Sequence, residues 1–285
     1  MVRFPIFATT VLAQTAAFVG LTFWLLPQVA KAESHMWLGI IIWAAILGIP
    51  LSLFEYLYHR YLLHAAVLPF MSSMHRAHTT HHGLTNVQAP VTPRDPEKMV
   101  TVTSAYPVEE EHQEESMMFP LYSIAIFQAI FLILLALPFK LMFPSQPILF
   151  ATMLSVMLCY SLYEFWHAIL HLPFETFWKP ATEEWAGKRM FRRMYSFHLM
   201  HHWRPTCNLA IVGLWGVAVW DYAFLTHRRP ERIPLDQASV NFTDCTLRKP
   251  LFVIQLFDRW KSGMYKGSRA VERFLARVFL GRKSA

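Results

Sequence analysis

Four stretches of this chain are apolar for long enough to cross a lipid bilayer. Residues 4–26 run for 23 positions without an Asp, Glu, Lys or Arg. Residues 36–58 are similar, with Glu55 near the end. Residues 118–141 form a third stretch, bounded by Pro120 and Pro138 and with Lys140 in the last turn. Residues 147–166 form a fourth, with Glu164 near its end. About 20 apolar residues in a helix cover the hydrocarbon core, so the pattern predicts four spans. After the first, Ala30-Lys31-Ala32 has the small-x-small form of a signal-peptide cleavage site. A signal peptide's apolar core is only about 7–15 residues long, which favours a retained anchor.

The connections divide by polarity. Residues 27–35 and 142–145 are short and nearly uncharged, whereas 59–117 and the segment from 171 onward are long and hold nearly all the charge. The last 114 residues carry 19 Lys and Arg against 9 Asp and Glu, a surplus of ten within a net charge of +7. Positive charge is retained on the cytoplasmic side, so both long segments and the N-terminus are expected there. The expected fold is all-α: a multi-pass membrane protein with about four transmembrane helices in two hairpins and a cytoplasmic helical cap. The whole of 1–285 reads as one integral-membrane domain. Its compartment would be the inner membrane of a bacterium or the endoplasmic reticulum of a eukaryote. The basic surplus alone would also suit nucleic acid. Beside four hydrophobic spans, a membrane partner is the better reading and nucleic acid is not expected.

Composition agrees. Apolar residues make up 54% of the chain and charged residues 16%, against about 25% charged in soluble domains. Cys159, Cys207 and Cys245 lie too far apart in sequence for a thiolate zinc motif or a disulfide framework.

Fourteen histidines change the picture most. Ten of them fall into four boxes. His59 and His64 form a pair at the end of the second span, and His78, His81 and His82 a triplet beyond it. His167 and His171 form a pair at the end of the fourth span, and His198, His201 and His202 a second triplet. Each half thus runs hairpin, pair, triplet. On a helix, positions i, i+3 and i+4 share a face, so each triplet presents its imidazoles together, as do His167 and His171. His59 and His64 stand about 140° apart on an α-helix. Either the helix ends between them, or they serve different metals.

Ten imidazoles gathered at the span ends would hold two metals with about five ligands each. A transporter would place such ligands near the bilayer midplane, not at the ends of its spans. Neutral imidazole suits Zn, Cu, Fe and Ni. Zinc has no redox chemistry, whereas paired irons bind oxygen and share the oxidation change of breaking it. Spacing alone leaves zinc open, including in isolated protein.

The four boxes, with Phe197 before the last of them and Asn208 and Trp220-Asp221-Tyr222-Ala223-Phe224-Leu225-Thr226 after it, resemble the fatty acid hydroxylase superfamily of integral-membrane di-iron enzymes. The order of boxes is most similar to its fatty acyl 2-hydroxylase branch, and the resemblance covers about residues 36–230. It implies that His59, His64, His78, His81, His82, His167, His171, His198, His201 and His202 bind two iron ions. It implies an O2-dependent monooxygenase acting on a lipid C–H bond, first of all on a fatty acyl chain. A sterol or carotenoid hydroxylase or desaturase is the alternative within the superfamily; a non-enzymatic metal-handling membrane protein is the alternative outside it. The family often carries Gly where this chain has Leu225. No cytochrome b5 domain is expected within this chain, so electrons would come from a separate donor of cytochrome b5 or ferredoxin type.

Other residues gain roles by position. Glu55 and Glu164 precede boxed histidines by four and three residues, where a carboxylate could hold an imidazole N–H. Asn208 and Asp221 are read either as such supports or as turn and cap residues. His75 lies outside the family pattern and is left out of the ligand set; His35, His112 and His227 read as ordinary loop histidines. An acidic run at Glu109, Glu110, Glu111, Glu114 and Glu115 reads as a solvated loop or a donor-docking patch. The tail, 246–285, reads as a basic amphipathic helix that either lies on an anionic membrane or packs on the cap's own core.

Overall fold

The structure is a computed structural model and describes residues 4–84, 86–88, 101–103, 116, 118–228 and 247–280. The acidic run, His112, Cys245 and the tail beyond 280 lie outside these. Among the described residues the named elements are helices apart from one short antiparallel ladder, Asn86–Gln88 (β1) with Thr101–Thr103 (β2). Four helices are long and apolar enough to cross a membrane. The chain divides into two compact units.

The first unit comprises residues 1–54, 118–168 and 212–217. It holds α1 (Phe4–Leu25), α2 (Pro27–Ser34), most of α3 (Trp37–Tyr58), α5 (Ser123–Phe131), α6 (Leu137–Met142) and most of α7 (Ile148–Leu170). The third span starts at Ser123 rather than 118, after a turn in which the Ser123 N–H donates to the Pro120 carbonyl. Between α5 and α6, Leu132–Ala136 forms a π-helical turn. Pro138 follows directly, and its missing N–H falls where the i→i+4 ladder is already broken. The connection expected at 27–35 is itself the helix α2.

Phe7, Val11, Leu47, Ile124, Phe131 and Tyr160 share one core. Polar groups inside the unit are paired, as a low-dielectric surround requires. Gln14 donates to the Leu121 carbonyl and accepts from the Ala125 N–H, closing the start of α5. Buried Glu33 meets Lys140 at 2.6 Å and caps α7 through the Phe150 N–H. Trp215 lies against α3 and donates to the Ala45 carbonyl. A Cβ at Gly48 would stand 2.6 Å from the Trp215 ring, so only glycine allows this approach. The outward faces stay apolar and exposed, at Leu12, Ile41, Ile133 and Leu134 among others, as expected of lipid-facing surface.

The second unit comprises residues 55–117, 169–211 and 218–285. Its described elements are a π-helical turn at His59–Leu63, α4 (Ser72–Gly83), the β1–β2 ladder, a π turn at Phe174–Trp178, α8 (Lys179–Glu183), α9 (Lys188–Trp203), α10 (Val219–Ala223) and α11 (Phe252–Leu280). α9 carries the second triplet and turns Tyr195, His198, Leu199, Met200, His201 and His202 inward. Fully buried Trp178 stacks on Tyr195 at 4.7 Å and anchors α9 at that side. Tyr56, Leu209 and Ile254 form another core.

After α10, Leu225 has φ 61°, a left-handed conformation that favours glycine, at the position where the resembled family often has one. The side chain is exposed, so little packing would be lost with it. Leu225→Gly is expected to raise stability by roughly 0.5–1 kcal/mol. Thermal unfolding of the detergent-solubilised protein reads this out, and a lowered midpoint would show that Leu225 packs after all.

Candidate metal centre

Two groups of imidazoles gather at the span ends. In the first, His59, His64, His78, His82 and His201 present ring nitrogens that all lie within 4.8 Å of one another. The closest approaches are Nε2 to Nε2: His59–His78 at 3.1 Å, His78–His64 at 3.2 Å, His82–His78 at 3.2 Å and His64–His201 at 3.3 Å. In the second, His171, His198 and His202 meet through Nε2 at 2.7–3.2 Å. His81 offers a nitrogen within 4.8 Å of those of His171 and His198, and its ring centroid stands 4.4 Å from that of His171. The groups adjoin: the His82 and His202 rings stack at 4.3 Å. His167 lies on α7 four residues before His171, buried and counted with the first unit, because the division falls inside this continuous helix.

Of the two alternatives for His59 and His64, the first holds: the helix ends at Leu63, between them, and they belong to one group. At His59 the α-helix passes into a π turn, with the His64 N–H donating to the His59 carbonyl. This i→i+5 bonding brings residues five apart onto one face, and the two rings stack at 5.1 Å, 12° from parallel. Arg60 holds the turn: buried, it donates to both carboxylate oxygens of Asp258 and to the Thr206 carbonyl.

The triplets divide between the groups. His78 and His82 face the first while His81 faces the second; His198 and His202 face the second while His201 crosses to the first. The i and i+4 members stay together, and the i+3 member reaches the neighbouring group.

Backbone carbonyls fix the tautomer of two of these rings. His59 Nδ1 stands 2.5 Å from the Leu209 carbonyl and His201 Nδ1 stands 2.9 Å from that of Cys207. A carbonyl only accepts, so each Nδ1 carries the proton and donates it. In a neutral ring Nε2 is then the accepting nitrogen and faces the group, where an N–H of a neighbouring ring or a metal ion can meet its lone pair.

The segment supplying these carbonyls is held by Glu55, expected at an imidazole N–H, and by Asn208 and Asp221, whose turn-and-cap reading holds. Asp221, fully buried, accepts the Leu209 N–H at 3.0 Å, the Ala210 N–H at 2.9 Å and the Thr226 hydroxyl at 2.8 Å. Glu55 accepts the Ile211 N–H at 2.6 Å. Asn208, at φ 53°, donates to the carbonyls of Phe197 and Arg228 and accepts the Arg228 N–H. These three side chains brace residues 208–211, and that segment aims His59 and, through Cys207, His201. Glu164 accepts the Phe119 N–H within the first unit. His75 donates Nδ1–H to the Leu63 carbonyl and belongs to neither group. His227 stacks on Tyr222, and His35 ends α2.

Burial, and then the crowding of neighbouring imidazoles, holds the pKa of His64, His78 and His202 well below the ordinary value; burial lowers that of His201 to about 4. All four are therefore neutral at pH 7, the state that binds metal. The unfolded rings take protons near pH ~6.5 while the folded ones do not. Between that pH and the lowered folded values, the unfolded state binds more protons, so stability falls with pH. Metal-stripped protein is expected to show a thermal midpoint that is flat above pH ~7 and declines steadily below ~6.5. A midpoint equal at pH 7 and pH 5 would contradict neutral burial of these rings.

No protein-family model, no curated protein and no solved structure matches this chain.

Proposed function

We propose that this chain is a membrane-bound two-iron oxygenase that hydroxylates a lipid, first of all a fatty acyl chain, with electrons from a separate donor protein. The observation that carries the reading is the pair of adjoining imidazole groups, largely buried, with the Nε2 atoms of His59 and His201 turned into the first. The donor set fits: imidazole suits first-row metals that cycle between oxidation states. His59, His64, His78, His82 and His201 would hold one iron, and His81, His167, His171, His198 and His202 the other. Bound there, paired irons supply oxygen activation for attack on an unactivated C–H bond. In the balance, one oxygen atom enters the C–H bond, the other leaves as water, and the donor provides two electrons matched by two protons.

The protein's own share is orientation and exclusion of water. The Leu209 and Cys207 carbonyls keep His59 and His201 in one tautomer. Burial keeps His64, His78, His201 and His202 unprotonated. The exposed apolar faces of the spans suit an acyl chain lying in lipid. The surplus of Lys and Arg in the segment from 171 onward supports a cytoplasmic site.

Two measurements test this. Cells with and without the gene are compared by lipidomics, and protein purified without oxygen is assayed for metal. A new hydroxylated acyl lipid and about two irons per chain are expected. A hydroxylated sterol or carotenoid would move the substrate, and a new double bond would change the outcome to desaturation. Bound metal with no lipid change would favour a metal-handling protein; one metal per chain would overturn the paired site.

A further inference from the structure

The helix α11 is 29 residues long, about 43 Å at 1.5 Å per residue. At about 100° per residue most of its partnered, apolar and basic side chains fall on three arcs. Ile254, Asp258, Ser268 and Glu272 share the arc by which the helix is attached to its own unit. Ile254 is buried against Tyr56 and Leu209, Asp258 pairs with Arg60, Ser268 is buried, and Glu272 accepts the Phe70 N–H. A second arc, about 110° round from the first, holds Trp260, Met264, Val271, Phe274 and Val278. These five are 42–64% exposed; Phe257, between the two arcs, has its ring 6.0 Å from that of Tyr61. A third arc, on the remaining side, holds Arg259, Lys266, Arg269, Arg273 and Arg277.

The apolar arc is therefore not the one that faces the protein, and packing on the cap's own core does not account for it. We infer that the apolar arc of α11 inserts into an anionic bilayer surface, with the basic arc against lipid headgroups. Residues 247–280 hold eight Lys and Arg against two acids. Both acids are engaged, Asp258 by Arg60 and Glu272 by Arg269, so the surplus faces outward. Aromatic residues in the apolar arc suit the headgroup boundary, where amphipathic rings are favoured. A second copy fits less well. The apolar positions follow 4–3 spacing, but Trp260, Gly267 and Phe274 occupy alternate seam positions where a coiled coil packs Leu. No unengaged acid is left to pair with the basic residues of a partner helix.

The test uses the full chain in nanodiscs of phosphatidylcholine and phosphatidylglycerol. Single spin labels are placed at Trp260→Cys, Phe274→Cys and Val278→Cys, and at Arg259→Cys, Arg273→Cys and Arg277→Cys, with Cys159, Cys207 and Cys245 replaced by Ser. Labels in the apolar arc are expected to collide with oxygen and be shielded from a water-soluble nickel chelate; labels in the basic arc should show the reverse. Each basic residue near anionic lipid favours the docked state by roughly fivefold, so the contrast should weaken in pure phosphatidylcholine. Equal nickel access at both arcs would overturn the inference. So would spin–spin broadening at the apolar positions, the mark of a second copy, or shielding of those positions from oxygen and nickel alike, the mark of protein packing. A contrast unchanged in neutral lipid would overturn its anionic part.

Discussion

Replacing any one of the ten boxed histidines with Ala is expected to reduce product formation below detection or nearly so, and to lower bound metal from about two per chain toward one. On the proposed function each imidazole would supply about one of five donors, and a site open to oxygen would have to keep its remaining donors in a fixed shape. The grouping makes the expectation specific. Loss of His59, His64, His78, His82 or His201 should empty one site and leave the other filled; loss of His81, His171, His198 or His202 should do the opposite. His167→Ala should follow the second pattern. Because the triplets divide, His81→Ala and His82→Ala, neighbours in sequence, should deplete different metals. Metal-sensitive spectroscopy on matched samples separates the two patterns. His75 acts through the Leu63 carbonyl, and its replacement should cost no more than about 10–100-fold. His35→Ala, His112→Ala and His227→Ala should behave like the parent. Full activity and full metal in several boxed variants would defeat the ligand assignment, as would failure of those three controls.

The spans were legible because length and absence of charge are one-dimensional properties. The boxes were legible for a similar reason: i, i+3 and i+4 spacing survives any packing of the helix that carries it. The π turn at His59–Leu63 left no such mark. It joins His59 to His64 and is held by Arg60 reaching Thr206 and Asp258, partners roughly 150 and 200 positions away. Nor could spacing divide the triplets, since a shared face says nothing of which neighbour each ring meets. Glu55 illustrates a third limit. Its place one turn before His59 suggested contact with an imidazole, yet its carboxylate takes the N–H of Ile211. The groups that do orient His59 and His201 are backbone carbonyls, which any residue type supplies. A sequence marks such a segment only through the side chains that brace it, here Glu55, Asn208 and Asp221.

Asp221→Ala is expected to be the most damaging change outside the boxed histidines. Burial pushes the Asp221 carboxyl above its ordinary pKa, and the donors from Leu209, Ala210 and Thr226 oppose that push. Removing the carboxylate leaves two buried N–H groups without their acceptor, while the Thr226 hydroxyl keeps the Tyr56 hydroxyl as a partner. Each such orphan costs about 1–3 kcal/mol, and partial relaxation brings the total to about 3 kcal/mol or more. That is a large share of the roughly 5–15 kcal/mol that stabilises a typical domain. The loss also reaches the candidate metal site, because Leu209 is the residue whose carbonyl fixes the His59 tautomer. Asp221→Asn separates the two effects. The amide keeps one oxygen to accept an N–H but turns an NH2 toward the other, so the segment should shift without unfolding. Metal affinity should then fall about 10–100-fold while most of the thermal stability remains. Asn208→Ala, bracing the same segment from its other side, should resemble Asp221→Asn. Thermal unfolding and metal titration of the three variants in detergent give the comparison. Should Asp221→Asn bind metal as tightly as the parent, the 208–211 segment would be a structural brace with no bearing on the imidazoles.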